Sequence, residues 1–344
     1  MAQIETASRA RTADGLSLRD RLAQIDQGIL IALVTLVMVA IGAVLVDGFL
    51  TGDNLMTILR ASSALGILAV GSAIVIMAKG VDLSVVVVTA LTAQGAVHLW
   101  TRNDFSELQA LVVMGMVAIT IGVINGWMVA YVGIPALFTT LGMWLLVDGA
   151  ARVWLLDNQV YILPADSNVV TDLGRGELFG IPFPIVAATV AFLAGWLFLE
   201  YTSQGRLIRA YGDNPEAARL AGIPTRPLVV LTFVICAGSA AVAGVLLLGI
   251  NGSYSTAYGG GKDLLFNAIT AAVIGGVSLT GGKGSIFGVL WGTLFIGTFV
   301  NLMTLLNLSV EVSSLLKAAV LVVALAFDSW LHPRDEETAK SDDL

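Results

Sequence analysis

The sequence predicts an all-α fold, a polytopic membrane helix bundle of about ten transmembrane helices with some broken or re-entrant segments. Three observations carry this prediction. Hydrophobic residues make up 57% of the 344 and charged residues only 12%, where a soluble domain carries about 25% charged residues. Mean hydropathy is +0.87. The 37 glycines fit the same class, because glycine is more frequent in transmembrane helices than in soluble ones.

The elements follow in chain order. Residues 1–26 carry Arg9, Arg11, Arg19 and Arg21 with no apolar run before Ile29, so they do not read as a cleavable signal. Within them, Leu16–Ile25 reads as a short amphipathic helix on the membrane surface. Apolar runs long enough to span, roughly 20 residues, fall near 27–47, 56–78, 82–101, 108–131, 135–156, 183–201, 227–250, 264–281, 285–306 and 313–331. The stretches 56–101 and 264–306 are nearly continuous, and they are where broken or re-entrant helices are expected. One transmembrane domain, 27–331, therefore lies between an N-terminal segment and a tail at 332–344.

Lysine and arginine orient the bundle. With the N-terminus in the cytoplasm, twelve of the 18 fall in cytoplasmic segments, and only Arg102, Arg175 and Lys262 fall outside. Arg60, Arg152 and Lys317 lie within or at the edge of spans. An even number of spans then places both termini inside.

Composition also excludes function classes. A single cysteine, Cys236 in an apolar run, rules out a disulfide framework. With two histidines besides, no zinc or haem site is expected. No His/Asp/Ser constellation for an intramembrane enzyme is visible, and no basic surface for nucleic acid. Gly276–Ser285 has the flavour of a phosphate loop, but a Walker A motif needs glycine where Val277 stands and Ser or Thr where Gly284 stands. Phosphate cradling is rejected. Gly284, Gly288 and Gly292 recur every four residues instead, as on a helix face built for close packing, with Gly281–Gly284 as a tight turn or helix break.

Two loops stand out. The outer one, Asp157–Pro182, is acidic and long enough to fold over the outer mouth. The inner one, Thr202–Pro227, reads as helical: Asn214 caps, Pro215 takes the first helical position, and Gly222 followed by Pro224 ends it.

Polar residues inside spans are functional candidates by default. Asp82 and Ser84 sit where a span restarts, positioned to cap a helix start or to meet a substrate. Asp148 and Arg152 are spaced i, i+4 in the favourable order, serving either as a staple or as a hydroxyl contact. Asn125, Asn251 and Asn267 suit hydroxyls or neighbouring helices, and Phe138 beside Thr139 offers a ring face.

At the inner loop the sequence resembles a known family. Gly205, Arg206, Ala210, Gly212, Asn214, Ala217, Ala218, Gly222 and Ile223 match the pattern of the cytoplasmic coupling segment in ribose/xylose/arabinose-type ABC transporter permeases. Lys79–Ser84 (KGVDLS), Ile134–Gly142 (IPALFTTLG) and Ala271–Gly288 (AAVIGGVSLTGGKGSIFG) resemble further family segments in the same order, so the likeness runs over about residues 30–330. Departures occur at Val86, where the family has glycine, and at Ala136 and Phe138.

The resemblance implies a bacterial inner-membrane subunit, not itself an enzyme, that moves a monosaccharide or small polyol inward. It would pair with a second permease subunit, identical or not. A cytoplasmic ATPase subunit holding ATP and Mg would dock on the coupling segment, with Gly205, Arg206, Arg209, Gly212, Asn214, Glu216, Ala217, Ala218, Arg219 and Gly222 as the coupling residues. A periplasmic sugar-binding protein would dock outside. The competing class is an ion-coupled secondary transporter or channel, which needs unpaired acids near midspan.

Overall fold

The computed structural model describes residues 27–155, 160–255 and 260–331. The expected surface helix Leu16–Ile25, Asp157 and the tail at 332–344 lie outside the described residues.

The chain is a helical bundle. Its long helices are α1 (Gln27–Leu45), α2 (Gly52–Met77), α3 (Val85–Arg102), α4 (Glu107–Trp127) and α5 (Ala136–Trp154). After a short α6 (Val169–Arg175) come α7 (Phe183–Tyr201), α8 (Ser203–Asp213), α9 (Pro215–Leu220) and α10 (Thr225–Asn251), then α11 (Gly260–Ile274), α12 (Ile286–Leu305) and α13 (Val310–Leu331). A helix stands at each of the ten apolar runs. Among the described residues seven helices are long and apolar enough to cross a bilayer, one of them being α4 with its five-residue π-helical extension Met128–Val132.

Local chemistry sets the ends. Ser106 and Gln109 form a capping box at the start of α4, each side chain bonding the other's backbone N–H. Gly133, at φ +83, stops the π turn, and Pro135 leads into α5. Pro184 occupies the first turn of α7, where its missing N–H has no cost.

α2 is the central post. Its most apolar stretch is 83% buried, against 22% for that of α7 and 28% for that of α1, so the outer helices present apolar faces such as Leu33, Val37, Leu193 and Leu197 to lipid. α10 packs along α2, α3 and α4, and α12 along α1, α2 and α11. Gly288 and Gly292 make the last of these contacts close: a Cβ on Gly292 would overlap the carbonyl of Ala271 on α11, and one on Gly288 that of Gly275 just past its end. Gly284 does not share that face. It precedes α12 and packs against Met77 and Val277, so it belongs to the turn, because the helix begins only at Ile286.

The three basic residues within spans all have acid partners. Arg152 Nε donates to Asp148 at 2.9 Å, Lys317 Nζ to Asp263 at 2.7 Å, and Arg60 lies 3.8 Å from Glu177. Sequence spacing revealed only the first of these, since the other two join distant elements.

Candidate functional site

The predicted residues gather in two places, at and near one end of the bundle. The first is the segment 202–227, for which the resemblance implies a coupling role. Thr202 caps α8 by accepting from Gly205 N–H at 3.1 Å, and Asn214 Oδ1 caps α9 by accepting from Ala217 N–H at 2.9 Å. Gly222, at φ +77, ends α9, with its N–H on Arg219 O and Ile223 N–H on Ala218 O. This pair of bonds is the αL stop that glycine favours. The loop thus holds two helices, the longer being α8, which the cap signals at Asn214 and Pro215 did not reveal.

Exposure divides the segment. Arg206, Glu216, Ala217, Arg219 and Leu220 face outward, while Gly205, Ile208, Gly212 and Ala218 are buried against the bundle. Arg209 pairs with Glu200 at the end of α7, fixing the angle of α8.

Gly212 is where this segment enters the core. A Cβ there would overlap the carbonyl of Met77 and the amide of Gly282. Gly282 N–H itself donates to Met77 O at 2.9 Å, and a Cβ on Gly281 would come within 2.7 Å of Gly212 O. Three backbones therefore meet without intervening side chains: the end of α2, the end of α8 and the glycine turn before α12. Lys79, the second residue after α2, takes φ +59, which a non-glycine residue rarely adopts. A groove of about 570 Å³ beside the segment is lined by Tyr131, Tyr211, Glu216, Arg219 and Arg226 among others, with the Arg226 guanidinium 5.3 Å above the Tyr131 ring.

The second place is the break between α2 and α3. Asp82 Oδ1 accepts from Ser84 N–H at 2.9 Å and Ser84 Oγ at 2.6 Å, and Asn125 Nδ2 donates to Ser84 Oγ at 2.8 Å. Thr140 Oγ1 accepts from Leu83 N–H at 3.1 Å and lies 3.2 Å from Val81 O, tying α5 to the break. Thr139, the residue singled out by sequence, is buried and turned toward Ile134 O instead. No local signal separates two adjacent threonines; only the helix phase does.

The remaining candidates do not join this cluster. Asp148 is eight residues beyond Thr140 on α5, about 12 Å along the helix, and its pair with Arg152 is partly exposed. Phe138 is 66% exposed on the outer side of α5. Asn251 closes the far end of α10, and Asn267 is half-buried on α11.

Comparison with known proteins decides the family. The model of the branched-chain amino acid transport system / permease component family matches residues 54–325, most of the chain. The chain belongs to this permease family. Among its relatives, the ribose import permease protein of Escherichia coli strain K12 is 34% identical over 305 residues, 88% of this chain and 94% of the relative. The L-arabinose ABC transporter permease protein of Azospirillum brasilense is 33% identical over 302 residues, 87% of each chain. The fructose import permease protein of Rhizobium meliloti is 30% identical over 300 residues, 86% of this chain and 83% of the relative. No solved structure matches the permease.

Sequence reasoning missed the far end of the bundle. There Glu107, the first residue of α4, accepts from Ser167 Oγ at 2.7 Å and from the backbone N–H groups of Asn168, Val169 and Val170 at 3.1, 3.1 and 2.7 Å. It is a carboxylate cap for α6, donated by another helix. β1 (Val160–Ile162) pairs antiparallel with β2 (Ser253–Ser255), and Arg175 Nε donates to Gly249 O at 3.2 Å. Tyr161, Val170 and Tyr254 pack with Ala93, Val97 and Leu248. Burial pushes the Tyr254 hydroxyl up to about 12.

Proposed function

We propose that this permease is the membrane-spanning subunit of a bacterial inner-membrane ABC importer that brings in a monosaccharide or small polyol. The observation that carries the reading is the coupling segment: an outward-facing α9, rigidly capped, continuing through α8 into a backbone contact with the end of the central helix. A push on α9 reaches Met77, and through it the break at 78–84, with no flexible side chain in series. The names of the ribose, arabinose and fructose relatives support the substrate class.

In this reading a cytoplasmic ATPase subunit, which holds the ATP and Mg, docks on Arg206, Glu216, Ala217 and Arg219. Two permease subunits enclose the path, and a periplasmic sugar-binding protein docks over the lobe at 160–182. Ten helices cross the bilayer, with α3 starting from the buried break and α11 a short crossing. Both termini face the cytoplasm. Nucleotide and binding protein shift the populations of inward- and outward-open states by their differential affinity for each.

The test is uptake of a labelled sugar panel into proteoliposomes. Uptake that needs ATP, the ATPase and the binding protein together supports the importer and names its sugar. Uptake by this chain alone, driven by an ion gradient, overturns it in favour of a secondary transporter.

A further inference from the structure

The break between α2 and α3 holds a carboxylate with no counter-charge. Asp82 is 5% exposed and, among the described residues, makes no ion pair. Its Oδ1 takes both Ser84 donors, and its Oδ2 has no hydrogen-bond partner. Asn125 is fully buried, its Nδ2 is spent on Ser84 Oγ, and its Oδ1 is likewise without a partner. Two side chains joined through one hydroxyl thus each keep an unpartnered oxygen in an apolar interior, where each unsatisfied group is costly. The Val85 N–H and the Cys236 thiol also lie beside the Asp82 carboxylate, the thiol being only a weak donor.

Two donations to Oδ1 stabilise a carboxylate, whereas burial without opposite charge opposes one. A positive ion against Oδ2 and Asn125 Oδ1 resolves both demands. One carboxylate matches a single positive charge. A divalent ion of the calcium class takes about six to eight oxygens, usually several of them carboxylate, and among the described residues no three acidic, histidine or cysteine side chains are placed to hold a metal ion. The unwound backbone of a broken helix is also where carbonyl oxygens become free to complete such a shell.

We propose that Asp82 and Asn125 form a binding site for one monovalent cation of the sodium class, a resident ion that locks the start of α3 onto α4. The ion complements the Ser84 relay: Asn125 orients the hydroxyl, the hydroxyl orients Asp82, and the ion joins the two outer oxygens. The site stands apart from the transport reading, since it is tested on the chain by itself.

The experiment is equilibrium binding of ²²Na⁺ to the purified full-length chain in lipid nanodiscs, alongside its melting temperature in NaCl, KCl and choline chloride. The expected result is saturable binding of one ion per chain, with a melting temperature that climbs with the logarithm of Na⁺ or K⁺ concentration but not with choline. Asp82→Asn, which keeps the shape and the Ser84 bonds, removes the binding. Ser84→Ala, which removes the hydroxyl joining Asp82 to Asn125, weakens it by roughly tenfold, and so carries the test should Asp82→Asn not fold. Absence of saturable binding in the folded chain overturns the proposal, as does binding unchanged in either variant. A melting temperature indifferent to cations but rising as pH falls would also overturn it, giving a proton the place assigned to the ion.

Discussion

The two ends of this bundle share glycine contacts between backbones and differ in what is added to them. At the far end a carboxylate and a strand pair are added to them: Glu107 gathers three backbone amides and a hydroxyl, Arg175 reaches Gly249, β1 pairs with β2, and Gly174 lies against the Gly249 backbone. At the coupling end, Met77, Gly212 and Gly282 meet backbone to backbone. Backbone contact leaves no slack, so displacement of α8 must displace α2. Motion is expected to be transmitted where glycine removes the cushion.

The sharpest way to break this comparison is Gly212→Ala. A methyl group there meets a carbonyl that cannot move without shifting α2, at a cost of about 1–3 kcal/mol. In the assembled transporter, ATP-driven uptake is expected to collapse while the ATPase subunit still copurifies. Uptake at wild-type rate would show that the junction has slack. Next is Glu107→Gln at the far end, which keeps the shape but weakens charge-assisted bonds to α6. It is expected to loosen the lobe by about 1–2 kcal/mol, read as faster amide exchange over 160–182 with α8 and α9 unaffected. Spread of the effect to the coupling end would erase the distinction between the two.

Asn214→Ala removes the cap of α9 and should cost about 1 kcal/mol of local helix stability. Its signature is weaker affinity for the ATPase subunit, measured by pull-down, with unchanged melting of the bundle. Arg152→Ala is the smallest. Its pair with Asp148 is partly exposed, at 48% and 38% of the two side chains, so the melting temperature should move by no more than about 0.5 kcal/mol equivalent. A larger loss would mean that Arg152 works on something other than Asp148.

The helices were legible because hydropathy is a local property, and each apolar run indeed carries one. Asn214, Pro215 and Gly222 were legible for the same reason, since a cap acts within one turn. Gly288 and Gly292 were found by their spacing, which survives in a straight helix; Gly284 was misplaced because the spacing continues into a turn that no helix occupies. The contacts that span the fold had no local signature. Nothing near Glu107 announces that its carboxylate serves a helix beginning more than sixty residues later, and Lys317 gives no hint of Asp263. Thr140 was passed over for Thr139 because a difference of 100° about the helix axis is invisible until the helix has something to face.

The π-helical turn at Met128–Val132 has a consequence for descent as well as for shape. Such a turn is the trace of one residue accommodated within an α-helix. Deleting a single residue there would restore regular pitch and swing everything after it by about 100°, carrying Tyr131 off the Arg226 guanidinium and reorienting Pro135 and the start of α5. A one-residue gain at this position would have been enough to re-aim one helix without altering its composition. Lineages of this permease that differ in length by one residue between 127 and 133 should therefore also differ in which face of α5 carries their polar side chains.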